Sequence, residues 1–149
     1  MVKFEAEYLP AFAGVVAGAV LALLAATFLP QARKLSDWDR RATIPLLLAA
    51  ASAHLALLPS VELLRIVLFS LYGIVLLVTA AFAFVGVSGW RVAAVVFPLG
   101  SILGYFYFGA VAHEVDVVGL IVKLLEVAAI AAAVRGALAA RRATGWTVT

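Results

Sequence analysis

Apolar residues run along this chain in five long stretches, each bounded by charged residues, proline or glycine. Their approximate bounds are 11–29, 42–58, 63–87, 92–112 and 117–134. A helix rises about 1.5 Å per residue, so each stretch can cross roughly 30 Å of hydrocarbon, the second one only just. The linkers between the stretches are short, which favours antiparallel neighbours. The pattern therefore predicts a bundle of five transmembrane helices with short loops.

The composition agrees with lipid as the main solvent. Hydrophobic residues make up 66% of the 149 residues and charged residues only 13%, with a mean hydropathy of +1.17. A soluble domain carries about 25% charged residues because its surface faces water. We therefore expect one all-α membrane domain over residues 1–149 and no soluble domain. The chain has no cysteine, which excludes disulfides, thiolate catalysis and iron–sulfur sites.

Lysine and arginine predict the orientation. With an odd number of spans, most of these residues fall on one side, namely Arg33, Lys34, Arg40, Arg41, Arg91, Arg135, Arg141 and Arg142. Only Lys3 and Arg65 fall on the other side. The positive-inside rule then places the N-terminus outside and the C-terminus in the cytoplasm, in the inner or plasma membrane of the cell. A four-span alternative, with the fifth stretch on the surface, would divide the basic residues between the two sides.

Small residues at a spacing of four mark the faces on which helices can approach closely in lipid. The first stretch carries Gly14 and Gly18, and the fourth carries Gly100 and Gly104 beyond Pro98. This pattern fits either a dimerisation face or ordinary packing within the chain, and it is common in alanine-rich helices.

Two charged residues interrupt the last stretch. Glu126 is predicted to lie near the middle of the membrane, and Lys123 precedes it by three positions, so the two can pair on one helix face. With Asp116 they form a polar stripe that would lead inward from the outer surface. The stripe fits a path to a proton or cation site at Glu126. It also fits a self-neutralising pair in which Lys123 snorkels outward and Glu126 bonds a neighbouring hydroxyl, for which Tyr72 and Ser101 are the candidates.

Two histidines are predicted near the outer surface. His54 lies near the outer end of the second stretch, and His113 and Glu114 follow the fourth. Imidazoles and carboxylates together can hold Zn or Cu. The spacing matches no ligand motif, however, and polar residues are common at a membrane interface. A metal site and an ordinary interface both fit this pattern.

The fourth stretch also contains four consecutive aromatic residues, at positions 105–108. An aromatic belt at the membrane interface explains them, and a pocket for a lipid, a quinone or a pigment is the alternative. The chain has no nucleophile–base set, glycine-rich phosphate loop or metalloprotease pair. The basic residues report topology rather than nucleic-acid binding.

The segment at residues 52–59, Ser-Ala-His-Leu-Ala-Leu-Leu-Pro, resembles part of a loose group of small uncharacterised bacterial membrane proteins with four or five helices. In that group a His-Leu-Ala-Leu-x-Pro run precedes an acidic outer loop. The final helix is similar too, with an acidic residue followed by Gly119, Lys123 and Glu126. The similarity covers the last two-thirds of the chain, and it implies the class of protein but no activity.

Two classes of function follow from these features. In the first, the chain is a non-catalytic accessory or structural subunit of a membrane complex, or associates with itself, through its small-residue faces. In the second, it is a small transporter, channel or ion-binding protein that works through the stripe from Asp116 to Glu126. The small size favours the first, because alternating access usually needs structural repeats.

Overall fold

The computed structural model describes residues 9–28, 37–58, 63–112 and 117–143. These ranges are all-helical apart from short turns. The helices are α1 (Leu9–Phe28), α2 (Trp38–Ala56), α3 (Leu63–Val85), α4 (Trp90–Ala112) and α5 (Val117–Ala143). Each helix coincides with one of the five apolar stretches, so the predicted helix count and order are confirmed.

The bounds differ most at α2. The sequence predicted a start near residue 42, but α2 begins four residues earlier at Trp38. Thr43 is therefore a buried residue inside the helix. The early start makes Asp39 and Arg40 helical, and both find partners on other helices, as described below. At the other end of the chain, α5 runs to Ala143, nine residues beyond the predicted bound.

The turn between α3 and α4 depends on a glycine. Gly86 has φ +84°, a left-handed conformation that residues with a side chain rarely adopt. The N–H groups of Gly86 and Val87 both donate to the carbonyl oxygen of Phe82, at 2.8 and 3.0 Å. This arrangement closes the end of α3 in the manner of a glycine cap. It ends the helix two residues before the predicted bound and lets α4 begin at Trp90.

Three helices in the described part of the chain are long and apolar enough to cross a membrane, over Leu63–Val85, Trp90–Gly109 and Val117–Ala143. α1 contributes a shorter apolar stretch, Phe12–Leu21. Large apolar side chains are exposed along the surface of the bundle, with Leu63 at 78%. These features indicate a membrane protein, and the count of five spans stays a prediction.

α2 lies at the centre of the bundle and packs against α1, α3 and α5, while α4 packs against α3 and α5. The core of the bundle is formed mainly by the alanines of α2 together with Leu47 and Leu76, both fully buried. α1 fits against α2 through its glycines. A Cβ atom on Gly14 would lie 2.5 Å from the carbonyl oxygen of Ser52, and one on Gly18 the same distance from that of Leu48. Intrachain packing therefore accounts for this glycine pair.

The second predicted glycine pair does not pack closely against any of the described residues. A Cβ atom on Gly100 or Gly104 would meet no atom of the described residues within 4 Å. α4 continues through Pro98 as one helix, and Pro98 itself is buried. Gly100 and Gly104 lie on the side of the helix away from Pro98, so they face outward. Packing against the described residues therefore does not account for Gly100 and Gly104, and these positions leave room for another molecule.

Candidate functional site

Five polar side chains from four helices meet inside the bundle, and we call them the Glu126 cluster. They are His54 of α2, Tyr72 of α3, Ser101 of α4, and Lys123 and Glu126 of α5. Glu126 is fully buried, and His54 and Lys123 are each only 6% exposed. Most of the ionisable side chains that are buried in the described part of the chain therefore belong to this cluster.

Lys123 and Glu126 form an ion pair one turn apart on α5. The Lys123 Nζ lies 3.0 Å from Oε1 and 2.9 Å from Oε2 of Glu126, so the ammonium faces both carboxylate oxygens. One interpretation of the sequence had Lys123 snorkelling outward to the polar surface. That interpretation is wrong, because Lys123 is only 6% exposed and its Nζ faces the buried carboxylate. The lysine turns inward since its counter-charge and a hydroxyl acceptor both lie there.

Two hydroxyl groups complete the surroundings of the carboxylate. Tyr72 Oη donates to Glu126 Oε1 at 3.1 Å, and Ser101 Oγ donates to the same oxygen at 3.3 Å. Lys123 in turn donates to Ser101 Oγ, so the serine hydroxyl accepts from the ammonium and donates to the carboxylate. The structure thus brings both hydroxyl groups considered from the sequence to Glu126. They join α3 and α4 to α5.

His54 lies in the same cluster, although the sequence placed it at an outer rim with His113. Its Nδ1 is 2.8 Å from the carbonyl oxygen of Ala50. Because a carbonyl oxygen only accepts, Nδ1 carries a proton, and Nε2 points toward Glu126 with 3.9 Å to Oε1. The imidazole ring also packs edge-on against the rings of Phe69 and Tyr72, with centroids 5.4 and 4.8 Å apart. The bond to Ala50 orients the imidazole on α2, and the packing of α2 against α3 encloses it, neither of which its position in the sequence revealed.

The remaining predicted site residues, His113, Glu114 and Asp116, lie outside the described residues. Within the described ranges, no group of three or more His, Cys, Asp or Glu residues comes together as a metal site. The predicted Zn or Cu site and the outer part of the polar stripe stay predictions.

The four consecutive aromatic residues divide between two environments. Tyr105 is half-buried, and the Lys123 Nζ lies 5.7 Å from its ring centroid. Phe106, Tyr107 and Phe108 are exposed on the surface of α4. An aromatic side chain beside an ammonium stabilises its charge, so Tyr105 adds to the surroundings of the Glu126 cluster. The other three rings are in the position expected of residues that meet lipid.

A second polar cluster, which sequence reasoning missed, lies at the α2 N-terminus; we call it the Asp39 cluster. Asp39 is 2% exposed, and its Oδ2 accepts a bond of 2.8 Å from Arg91 Nε at the start of α4. Gly136 of α5 lies directly against the same carboxylate, with no room there for a Cβ atom. The cluster therefore fixes three helix ends together.

Arg40, the next residue of α2, caps α3. Its Nε donates to the carbonyl oxygen of Ala83 at 2.7 Å, and its Nη2 donates to that of Phe84 at 2.9 Å. Such carbonyl groups at a helix C-terminus lack intrahelical partners, and the negative end of the helix dipole favours a cation there. The only sequence signal for this role was a charged residue directly before an apolar stretch, which is equally typical of a linker.

Comparisons with known proteins add no relative: no protein-family model, curated protein or solved structure matches this chain.

Proposed function

We propose that the chain is a non-catalytic membrane protein of five spans, with its N-terminus outside and its C-terminus in the cytoplasm. In this proposal it serves as an accessory or structural subunit of a membrane complex, or associates with copies of itself. The Glu126 cluster then has a structural role: its bonds fix the positions of four helices relative to one another.

The observation that carries this proposal is the closed set of bonds around Glu126. Both carboxylate oxygens face Lys123, and Oε1 also accepts bonds from Tyr72 and Ser101. A transported ion would have to replace these donors, and the carboxylate has no exposed surface through which to do so. In some proteins, a buried polar or ionic group fixes one arrangement of the packed helices. The geometry therefore favours a structural role over ion exchange.

The arrangement of the basic residues supports the proposed orientation. Arg91 at the start of α4 bonds Asp39 at the start of α2, and Gly136 near the end of α5 contacts the same carboxylate. These contacts gather three basic helix ends at one side of the bundle. The positive-inside rule assigns such a side to the cytoplasm.

The outer surface of α4 is the candidate assembly face. Gly100 and Gly104 have no neighbour there within the described chain, so a helix of another subunit can approach the α4 backbone closely. The flanking residues Leu103 and Tyr107 are 63% and 67% exposed and can pack around such a contact.

The test is the size and composition of the particle purified in mild detergent, before and after enlarging the face. G100L and G104L should remove the partner or the second copy while the chain remains folded. A81L is the matched control, because Ala81 is an exposed small residue on α3. A wild-type chain that runs as a lone monomer after crosslinking in the membrane would refute the assembly role, as would leucine variants that assemble as well as the control.

A second candidate function, ion or proton binding linked to transport, is favoured by one feature of the cluster. His54 Nε2 and Tyr72 Oη both lie beside Glu126 Oε1, at 3.9 and 3.1 Å, and such groups can pass a proton. Proton flux into liposomes that contain the purified chain separates the two functions. Flux that is present in the wild type and in D37N but absent in an E126Q chain that is still folded would establish this candidate in place of the first.

A further inference from the structure

A groove of about 330 Å³ runs between α4 and α5 on the surface of the bundle. Valine and leucine side chains form its walls, among them Val92, Val96 and Leu138, and Ala133 and Ala137 also line it. Its volume is in the range of small-molecule sites, about 300–1,000 Å³. An aliphatic lining of this kind suits a hydrocarbon chain and offers no polar group to bind a polar ligand along its length.

Two arginines also line the groove, Arg91 in the first turn of α4 and Arg141 in the last turn of α5. Because α4 and α5 are antiparallel neighbours, both guanidinium groups belong to the same end of the bundle. Arg91 uses its Nε to bond Asp39, which is one of five donors on the guanidinium, and the side chain remains 31% exposed. The buried carboxylate therefore fixes Arg91 in place beside the groove without exhausting its donors.

Position along α5 distinguishes Arg141 from its basic neighbour. Val134, Leu138 and Arg141 follow each other at spacings of four and three, so they share one face of the helix. Arg142 is also exposed but does not line the groove. The apolar walls and the cation are therefore parts of one surface.

We infer that this groove binds an anionic phospholipid, with an acyl chain between α4 and α5 and the phosphate beside Arg91 and Arg141. Charge complementarity selects this occupant, because the groove joins a hydrocarbon-compatible lining to two cations at one end. The positive N-terminal end of α4 adds to the attraction for a phosphate. The inference requires that the chain lies in a bilayer, as proposed above, but it does not depend on the assembly role.

Native mass spectrometry of the full chain in detergent tests the site, with phosphatidylglycerol and phosphatidylcholine of identical acyl chains as the probes. We expect phosphatidylglycerol to be retained in preference to phosphatidylcholine. R141Q should weaken its retention about fivefold, the effect of one arginine near an anionic lipid. R142Q, the matched control, should retain the lipid as the wild type does.

A second pair of variants tests the groove itself. A137L should fill it and reduce retention of both lipids, whereas A139L adds the same atoms at an exposed position outside it.

Equal retention of the two lipids by the wild type would overturn the inference. So would an R142Q or A139L effect as large as that of its partner variant, since a general charge or surface effect would then suffice. A chain that does not fractionate with membranes would instead refute the proposed membrane function, so the two failures are distinguishable.

Discussion

Lys123 and Glu126 close an ion pair inside the bundle, with Nζ 3.0 and 2.9 Å from the two carboxylate oxygens. Removing two charges from water costs several kcal/mol per ion, and their attraction offsets this only where the remaining donors and acceptors are also satisfied. Tyr72 and Ser101 supply those further bonds from α3 and α4. The pair is thus tolerated because three helices contribute to it, which links its stability to the correct packing of the bundle.

The hydroxyl of Tyr72 should contribute measurably to that stability. Y72F removes the donor at 3.1 Å from Glu126 Oε1 and leaves the ring in place. A hydrogen bond to a charged group contributes about 1.5–3 kcal/mol, so the free energy of unfolding, measured by SDS titration in mixed micelles, should fall by that amount. Y107F is the control, because the Tyr107 side chain is 67% exposed. Equal values for the two variants would show that the bond to Glu126 is not stabilising.

Two glycines should respond in opposite ways to the same added methyl group. A Cβ atom on Gly136 would overlap the Asp39 carboxylate, whereas one on Gly100 meets no described atom within 4 Å. G136A must displace the carboxylate that holds Arg91, and overpacking of this kind costs about 1–3 kcal/mol. G100A should be neutral or stabilising by up to about 1 kcal/mol, since alanine favours the helix. Thermal unfolding in detergent measures both, and a loss in G100A equal to that in G136A would contradict the packing described.

The absence of cysteine allows the topology to be tested with single introduced thiols. Ser88 lies in the turn between α3 and α4, which five spans with an outer N-terminus place in the cytoplasm. Ser60 lies between α2 and α3 in the sequence and should be outside. An impermeant maleimide added to intact cells should therefore label S60C and label S88C only after lysis. The reverse pattern would invert the orientation, and labelling of both in intact cells would contradict the five-span count.

Features of the fold that depend on the local sequence could be predicted, and features that depend on contacts between distant residues could not. Apolar length alone predicted five helices, because a span needs a run of residues that lipid can surround. The start of α2 was missed because its charged residues resemble a linker, and their partners lie far along the chain. Arg40 reaches Ala83, and Asp39 reaches Arg91. Tertiary bonds of this kind leave no periodic pattern.

The candidate site shows the same limit. The cost of a charge in hydrocarbon pointed to Glu126 and Lys123 from the sequence, and the supply of hydroxyl groups suggested Tyr72 and Ser101. The place of His54 in the Glu126 cluster was missed, because the sequence gives its position along α2 but not the neighbours that it faces. The packing of α2 against α3 brings the ring beside Tyr72, and the bond to the Ala50 carbonyl oxygen orients the side chain; a linear sequence contains neither contact.

Lys123 and Glu126 should stabilise the bundle as a coupled pair, and a double-mutant cycle of unfolding free energies in mixed micelles tests this coupling most directly. K123M and E126Q each leave one partner buried without its counterpart, and each should cost about 3–5 kcal/mol. The double variant contains no unpaired buried charge, and the amide oxygen that E126Q introduces still accepts from Tyr72 and Ser101. The double variant should therefore lose much less unfolding free energy than the sum of the two single losses. D37N is the control, because Asp37 faces Arg40 at 3.8 Å with the same spacing but 48% exposure, and it should cost at most about 1 kcal/mol. If the losses of unfolding free energy from K123M and E126Q simply add in the double variant, the two residues are not coupled. That result, or single losses no larger than that of the control, would contradict the structural role of the pair.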